Sequence, residues 1–124
     1  MLRVLMVEDD ALQRRMYRDA LASEYDVTML SSGHDAMLED WPSYDCVVVD
    51  LYMAGLAGDE VIERAAAHYG DRLPPVILFT ASPNSLTSGL HLPATVIIKG
   101  GGSSGKVLDT LRNGIAYAIA YHSA

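Results

Sequence analysis

The sequence predicts an α/β domain: a doubly wound, five-stranded parallel sheet with helices on both faces. Two observations carry that expectation. Short, nearly continuous apolar runs recur along the chain, the pattern of strands buried on both faces. They alternate with segments whose apolar residues are spaced three and four apart, as in helices that cover a sheet. Right-handed crossovers between parallel strands then wind the chain around the sheet.

The elements follow in order. "LRVLMV" (2–7) is the first strand, followed by a helix with Leu12, Met16, Tyr17, Ala20 and Leu21 on one side. Asp10, just before "ALQRRM", fits the N-cap of that helix. "YDVTML" (25–30) is the second strand, and "GHDAMLEDW" (33–41) a second helix whose Met37 and Trp41, four apart, pack it onto the sheet. Pro42 and Ser43 punctuate before the third strand, "DCVVVD" (45–50). The loop "LYMAGLAG" leads into a helix with Val61, Ile62, Ala65, Ala66 and Tyr69 on one face. Its first turn carries Asp59 and Glu60, which suit the positive end of the helix dipole.

"PPVILFT" (74–80) and "ATVII" (94–98) are the fourth and fifth strands. Between them, "ASPNSLTSGLHLP" (81–93) holds Pro83, Gly89 and Pro93, so the crossover is expected to be a short or irregular helix. The last helix carries Val107, Leu108, Leu111, Ile115, Ala118 and Ile119 at helical spacing. It is more apolar than one buried face requires. Tyr117, Ala120 and Tyr121 extend that surface toward a partner, a second copy in a homodimer, or a fuller core of the domain itself; the pattern fits each.

Bulk composition excludes several function classes. A chain of 124 residues is expected to form one domain, 1–124. Its net charge of −7 argues against nucleic acid and suits a cation or a basic protein partner. The single cysteine, Cys46, rules out an internal disulfide and reads as a buried apolar residue within "CVVVD". His34, His68, His91 and His122 share no metal-ligand spacing and read as surface residues. No apolar run approaches about 18 residues, and the N-terminus lacks a signal-peptide pattern, so a cytoplasmic protein without membrane contact is expected.

Chemistry in a doubly wound sheet collects beyond the carboxyl ends of the strands. Glu8, Asp9 and Asp10 follow the first strand, while Asp50 ends the third, Thr80 the fourth and Lys99 the fifth. Carboxylates from Glu8, Asp9 and Asp50 would concentrate negative charge and favour a hard cation; Mg²⁺ accepts such oxygens together with a phosphate oxygen. Asp50 is then placed to attack a phosphoryl group, with Mg²⁺ and Lys99 neutralising it and the Thr80 hydroxyl donating to it. Singly, each residue has an ordinary structural explanation as a cap, a turn residue or a solvated charge. Their joint placement at four strand ends favours the phosphoacceptor reading.

The pieces "VLMVEDD", "YDCVVVDLYMAGLAG", "PVILFTA" and "VIIK", in this order, resemble the receiver domain of bacterial two-component response regulators. The resemblance implies a flavodoxin-like sheet of order 2-1-3-4-5. It implies phosphorylation on Asp50, Mg²⁺ held by Glu8, Asp9, Asp50 and the Tyr52 backbone carbonyl, and a Thr80 that moves toward the phosphoryl group while Lys99 pairs with it. The donor is then a histidine kinase or histidine phosphotransfer protein, and the output is contact with a downstream protein. Such a domain promotes its own phosphorylation and dephosphorylation without turning over an external substrate.

Three positions depart from the family pattern: Ala54 and Gly100 where proline is usual, and Val96 where Tyr or Phe is usual. The Thr80-to-Lys99 interval is also a few residues short. These changes leave the phosphorylation residues intact and alter the output surface. Val96, Gly100 and the eroded 81–93 segment motivate an alternative, a receiver-like scaffold whose binding ignores phosphate. A third reading starts from Gly100 and Gly105-Lys106 in "KGGGSSGKV", a phosphate-loop spacing. Val107 stands where that loop needs Ser or Thr for Mg²⁺, so a connection leading to a Ser103 or Ser104 helix cap is the better account.

Overall fold

The computed structural model describes residues 1–81, 92–100 and 103–122. Within them lie five strands, β1 Arg3–Val7, β2 Asp26–Leu30, β3 Cys46–Asp50, β4 Val76–Thr80 and β5 Thr95–Ile98. They form one parallel sheet of order β2-β1-β3-β4-β5. The helices are α1 Ala11–Leu21, α2 Gly33–Ala36, α3 Gly58–Tyr69 and α4 Ser104–His122. The expected doubly wound sheet and its strand order are therefore present. The irregular crossover expected over 81–93 falls almost entirely outside the described residues.

Alternate side chains of β1, β3 and β4 feed two cores. Val4, Met6, Cys46, Val48, Ile77 and Phe79 meet Tyr17 and Leu21 of α1 and Leu111 and Ile115 of α4. On the opposite face, Leu5, Val7, Val47, Val49 and Leu78 meet Ala36 of α2 and Val61, Ile62 and Ala65 of α3. Burial of both faces explains why these three strands lack a polar alternation, whereas β5 leaves Val96 and Ile98 exposed.

Local details match or refine the sequence. Asp10 does cap α1, its Oδ1 accepting from the amides of Leu12 at 2.9 Å and Gln13 at 3.3 Å. Cys46 is buried, and burial pushes its thiol up to about 12. The second helix is shorter than expected. It ends at Ala36, and Trp41 sits in a separate 3₁₀ turn, Trp41–Ser43. The tryptophan still packs into the core, but it reaches back: Nε1 donates to the Ala36 carbonyl at 2.9 Å, beside the Glu39 amide, which donates to the same oxygen at 3.3 Å. Tyr117 and Tyr121 lie on the exposed side of α4, stacked on each other with centroids 4.2 Å apart.

Candidate functional site

Parallel pairing brings the carboxyl ends of β1, β3, β4 and β5 to one edge. Val7 is level with Val49, Asp50 with Phe79, and Thr80 with Ile98. Glu8, Asp50, Thr80 and Lys99 are thus gathered by topology from positions far apart in sequence.

Ligand oxygens from Glu8, Asp9 and Asp50 lie within 4.8 Å of one another. Glu8 is 1% exposed and Asp50 8%. Glu8 Oε2 accepts from the Asp10 amide at 3.1 Å, and Glu8 Oε1 lies 3.4 Å from Lys99 Nζ. The same ammonium is 3.6 Å from Asp50 Oδ1. Asp9 Oδ2 accepts from the Ala54 amide at 3.1 Å, tying the end of β1 to the loop after β3. A proline at position 54 could not donate that bond, so the first departure from the family pattern gives Asp9 an added partner.

Lys99 emerges directly from β5, its amide donating to the Thr80 carbonyl at 2.8 Å. Thr80 itself is fully buried. Tyr52 follows Asp50 by two residues, with its side chain half exposed. The Lys99–Gly100 bond is not cis. Ser103, at the start of α4, has its Oγ 3.4 Å from the Lys106 amide, as a cap would. Positions 101 and 102, between the Gly100 and Gly105 of the phosphate-loop spacing, lie outside the described residues.

Electrostatics follow from burial. Removal from water pushes Glu8 up to about 7; the Asp10 amide opposes that shift and the nearby Asp50 adds to it. Asp50 is likewise raised by burial, against the pull of Lys99. Burial alone would lower Lys99, but Asp50, Tyr17 and Glu8 together hold it above its ordinary value. One ammonium therefore serves two buried carboxyl groups, and the site holds less positive charge than its acids can balance.

Sequence reasoning missed three contributors on α1. Arg14 NH1 donates to the backbone carbonyls of Glu8 at 3.0 Å and Asp9 at 2.8 Å, clamping the acidic turn. Gln13 Oε1 receives Lys99 Nζ at 3.1 Å. Tyr17 donates its hydroxyl to that same oxygen at 3.1 Å. The helical spacing of 13 and 17 was visible; their rotation toward the sheet edge was not.

Comparison with known proteins identifies the family and the fold. A family model described as the response regulator receiver domain matches residues 4–96. A curated relative, the 3',5'-cyclic-nucleotide phosphodiesterase regA of Dictyostelium discoideum, is 30% identical over 84 residues, which span 64% of this chain but only 11% of that protein. Among solved structures, response regulator TrrA of Thermotoga maritima, in complex with Mg²⁺ and beryllofluoride, aligns with a TM-score of 0.77 at 24% identity, covering 95% of this chain and 99% of that one. The chemotaxis response regulator CheY4 of Vibrio cholerae gives 0.76 at 21%, covering 95% and 98%. The family match takes in most of the sequence, from within β1 through β4, including Glu8, Asp9, Asp50 and Thr80, and the chain belongs to the response regulator receiver domain family.

Proposed function

We propose that this chain is the phosphoacceptor of a two-component phosphorelay, phosphorylated on Asp50 in a Mg²⁺-dependent transfer from a phosphohistidine, and that it signals by protein contact. The observation that carries the reading is the convergence of three carboxylates within 4.8 Å, with the Lys99 ammonium 3.6 Å from Asp50.

The donor set fits a hard cation: it offers carboxylate oxygens and neither nitrogen nor sulfur. The raised Glu8 and Asp50 point the same way, since a divalent ion is the natural complement to buried acids that one lysine leaves under-balanced. Glu8, Asp9, Asp50 and the Tyr52 carbonyl would hold Mg²⁺. Bound there, the ion supplies charge neutralisation to the transferring group.

The chain's own residues do the rest. An Asp50 carboxylate oxygen attacks phosphorus; the new P–O bond forms as the P–N bond to the donor histidine breaks, and the imidazole nitrogen keeps the electron pair. Lys99 pairs with one phosphoryl oxygen, and the Thr80 hydroxyl donates to another. The donor is a histidine kinase or histidine phosphotransfer protein in the cytoplasm, and no external substrate is turned over.

Treatment with a small-molecule phosphodonor and Mg²⁺, followed by intact mass, tests this. One added phosphoryl mass is expected, absent with a chelator and in Asp50→Ala. No addition to the wild type, or the same addition to Asp50→Ala, overturns the reading.

A further inference from the structure

Among the described residues, the Lys99 ammonium makes its shortest polar contact with a neutral amide. Gln13 Oε1 is 3.1 Å away, against 3.4 Å for Glu8 and 3.6 Å for Asp50. An unopposed ammonium–carboxylate bond closes to about 2.7–2.9 Å. Neither carboxylate contact is that short. The Gln13 amide must present oxygen to that ammonium, because an ammonium has donors only. The Tyr17 hydroxyl meets the same oxygen, and Tyr17 is buried beneath Nζ, which stands 5.7 Å from its ring and 5.3 Å from that of Phe79. Gln13 and Tyr17, four apart on α1, thus form a seat for the ammonium. Among the described residues, a Cβ at Gly100, the next residue, would meet nothing within 4 Å.

We propose that Gln13, oriented by Tyr17, is a positioning residue that keeps the Lys99 ammonium beside the Glu8 and Asp50 carboxylates rather than on them, leaving their oxygens open to a divalent cation. This rests on the Mg²⁺-dependent reading of Asp50 given above. A full ion pair with Lys99 would compete with the cation for the same oxygens. A seat on the amide keeps the ammonium within reach of Asp50 without that competition.

Gln13→Met tests it, since methionine preserves length and helix propensity but removes the oxygen. In a crystal structure of the metal-free variant, Nζ is expected to close onto a carboxylate, to within about 3 Å. Calorimetry should find Mg²⁺ affinity about tenfold weaker than in the wild type, the scale of losing a partner behind a ligand. In a Lys99→Met background the same substitution should change Mg²⁺ affinity by less than about twofold, because Gln13 acts through Lys99. Gln13→Glu, which retains an acceptor, should leave Nζ in place. An unmoved Nζ in Gln13→Met, or an equal loss of affinity in both backgrounds, overturns the proposal. A wild type that binds no Mg²⁺ would instead sink the phosphoacceptor reading, and the metal-free structure judges the Gln13 seat on its own. Should Gln13→Met fail to fold, Tyr17→Phe carries the same two measurements with smaller expected shifts.

Discussion

Gly58 lies directly against the backbone of Asp50. A Cβ at position 58 would overlap the Asp50 carbonyl oxygen and stand 2.8 Å from its carbonyl carbon and 2.9 Å from Leu51 Cα. The Gly58 amide also donates to the Leu51 carbonyl at 3.0 Å. The start of α3 is thus pressed onto the strand end that presents Asp50. Backbone cannot rotate out of the way as a side chain can, so Gly58→Ala must displace α3 or the Asp50 peptide. We expect a loss of about 2–3 kcal/mol, in the range of overpacked sites. Gly105 offers a control, because a Cβ there meets only Ser103 Oγ at 3.9 Å. Gly105→Ala in α4 should be neutral or gain up to about 1 kcal/mol. Chemical denaturation of both variants checks the contrast; equal effects would remove the case for a special approach at Gly58.

The raised Glu8 gives a pH dependence with a definite sign. Its folded value, about 7, exceeds the ordinary 4.5, so between these limits the folded state binds more protons than the unfolded chain. The stability it contributes is fully present below 4.5 and is lost as pH rises through 7. Asp50, raised as well, acts in the same direction. Lys99 is raised from 10.5 and changes nothing in this window. Metal-free protein should therefore lose thermal stability from pH 5 to pH 7.5, and saturating Mg²⁺ should flatten that decline. Melting temperatures across the window, with Mg²⁺ and with a chelator, decide. A metal-free melting temperature that climbs steadily over the range would contradict the buried-acid account.

Arg14 links α1 to the acidic turn through two backbone carbonyls and, among the described residues, no carboxylate. Its loss should disturb the orientation of Glu8 and Asp9 while leaving every ligand in place. For Arg14→Ala we expect Mg²⁺ binding weaker by about tenfold and a stability loss of about 1–2 kcal/mol, typical for hydrogen bonds from a charged donor. Calorimetry and denaturation measure the two separately. Unchanged affinity with reduced stability would make Arg14 a purely structural tie.

β1, β3 and β4, with Glu8, Asp50 and Thr80 at their ends, were legible because burial on both faces writes an uninterrupted apolar run; β5 writes a similar run up to Lys99 although Val96 and Ile98 are exposed. Contacts that depend on helix rotation were not. Nothing in "ALQRRMYRDAL" says that Gln13 and Arg14 turn toward the sheet edge, since polar residues beside an apolar stripe usually face water. Met37 and Trp41, four apart, implied a helix through position 41. Pro42 instead stands within a separate 3₁₀ turn, and the indole closes the end of α2 from outside it. Tertiary packing satisfied the same apolar pair with a different backbone. The Ala54 amide bond to Asp9 was hidden for another reason: its importance lies in an N–H, which a residue letter shows only by not being proline.

The seat of β5 on α4 bears on Lys99, which leaves that strand's end. A Cβ at Gly114 would collide with Ile97 Cδ1, the far end of a side chain that can turn aside, and would stand 3.7 Å from Ile97 Cγ1 and 3.8 Å from Ile77 Cδ1. Two effects then oppose each other in Gly114→Ala. Helix propensity favours alanine by about 1 kcal/mol, and displacing Ile97 from its rotamer costs about 0.5–1.5 kcal/mol. The single variant should be close to neutral. Ile97→Val removes Cδ1 and with it the collision, so in that background Gly114→Ala should stabilise by about 0.5–1 kcal/mol. A double-mutant cycle by urea denaturation reads the coupling directly. If the effect of Gly114→Ala is the same in both backgrounds, the two residues do not meet, and α4 rests on β5 in some other way than through this contact.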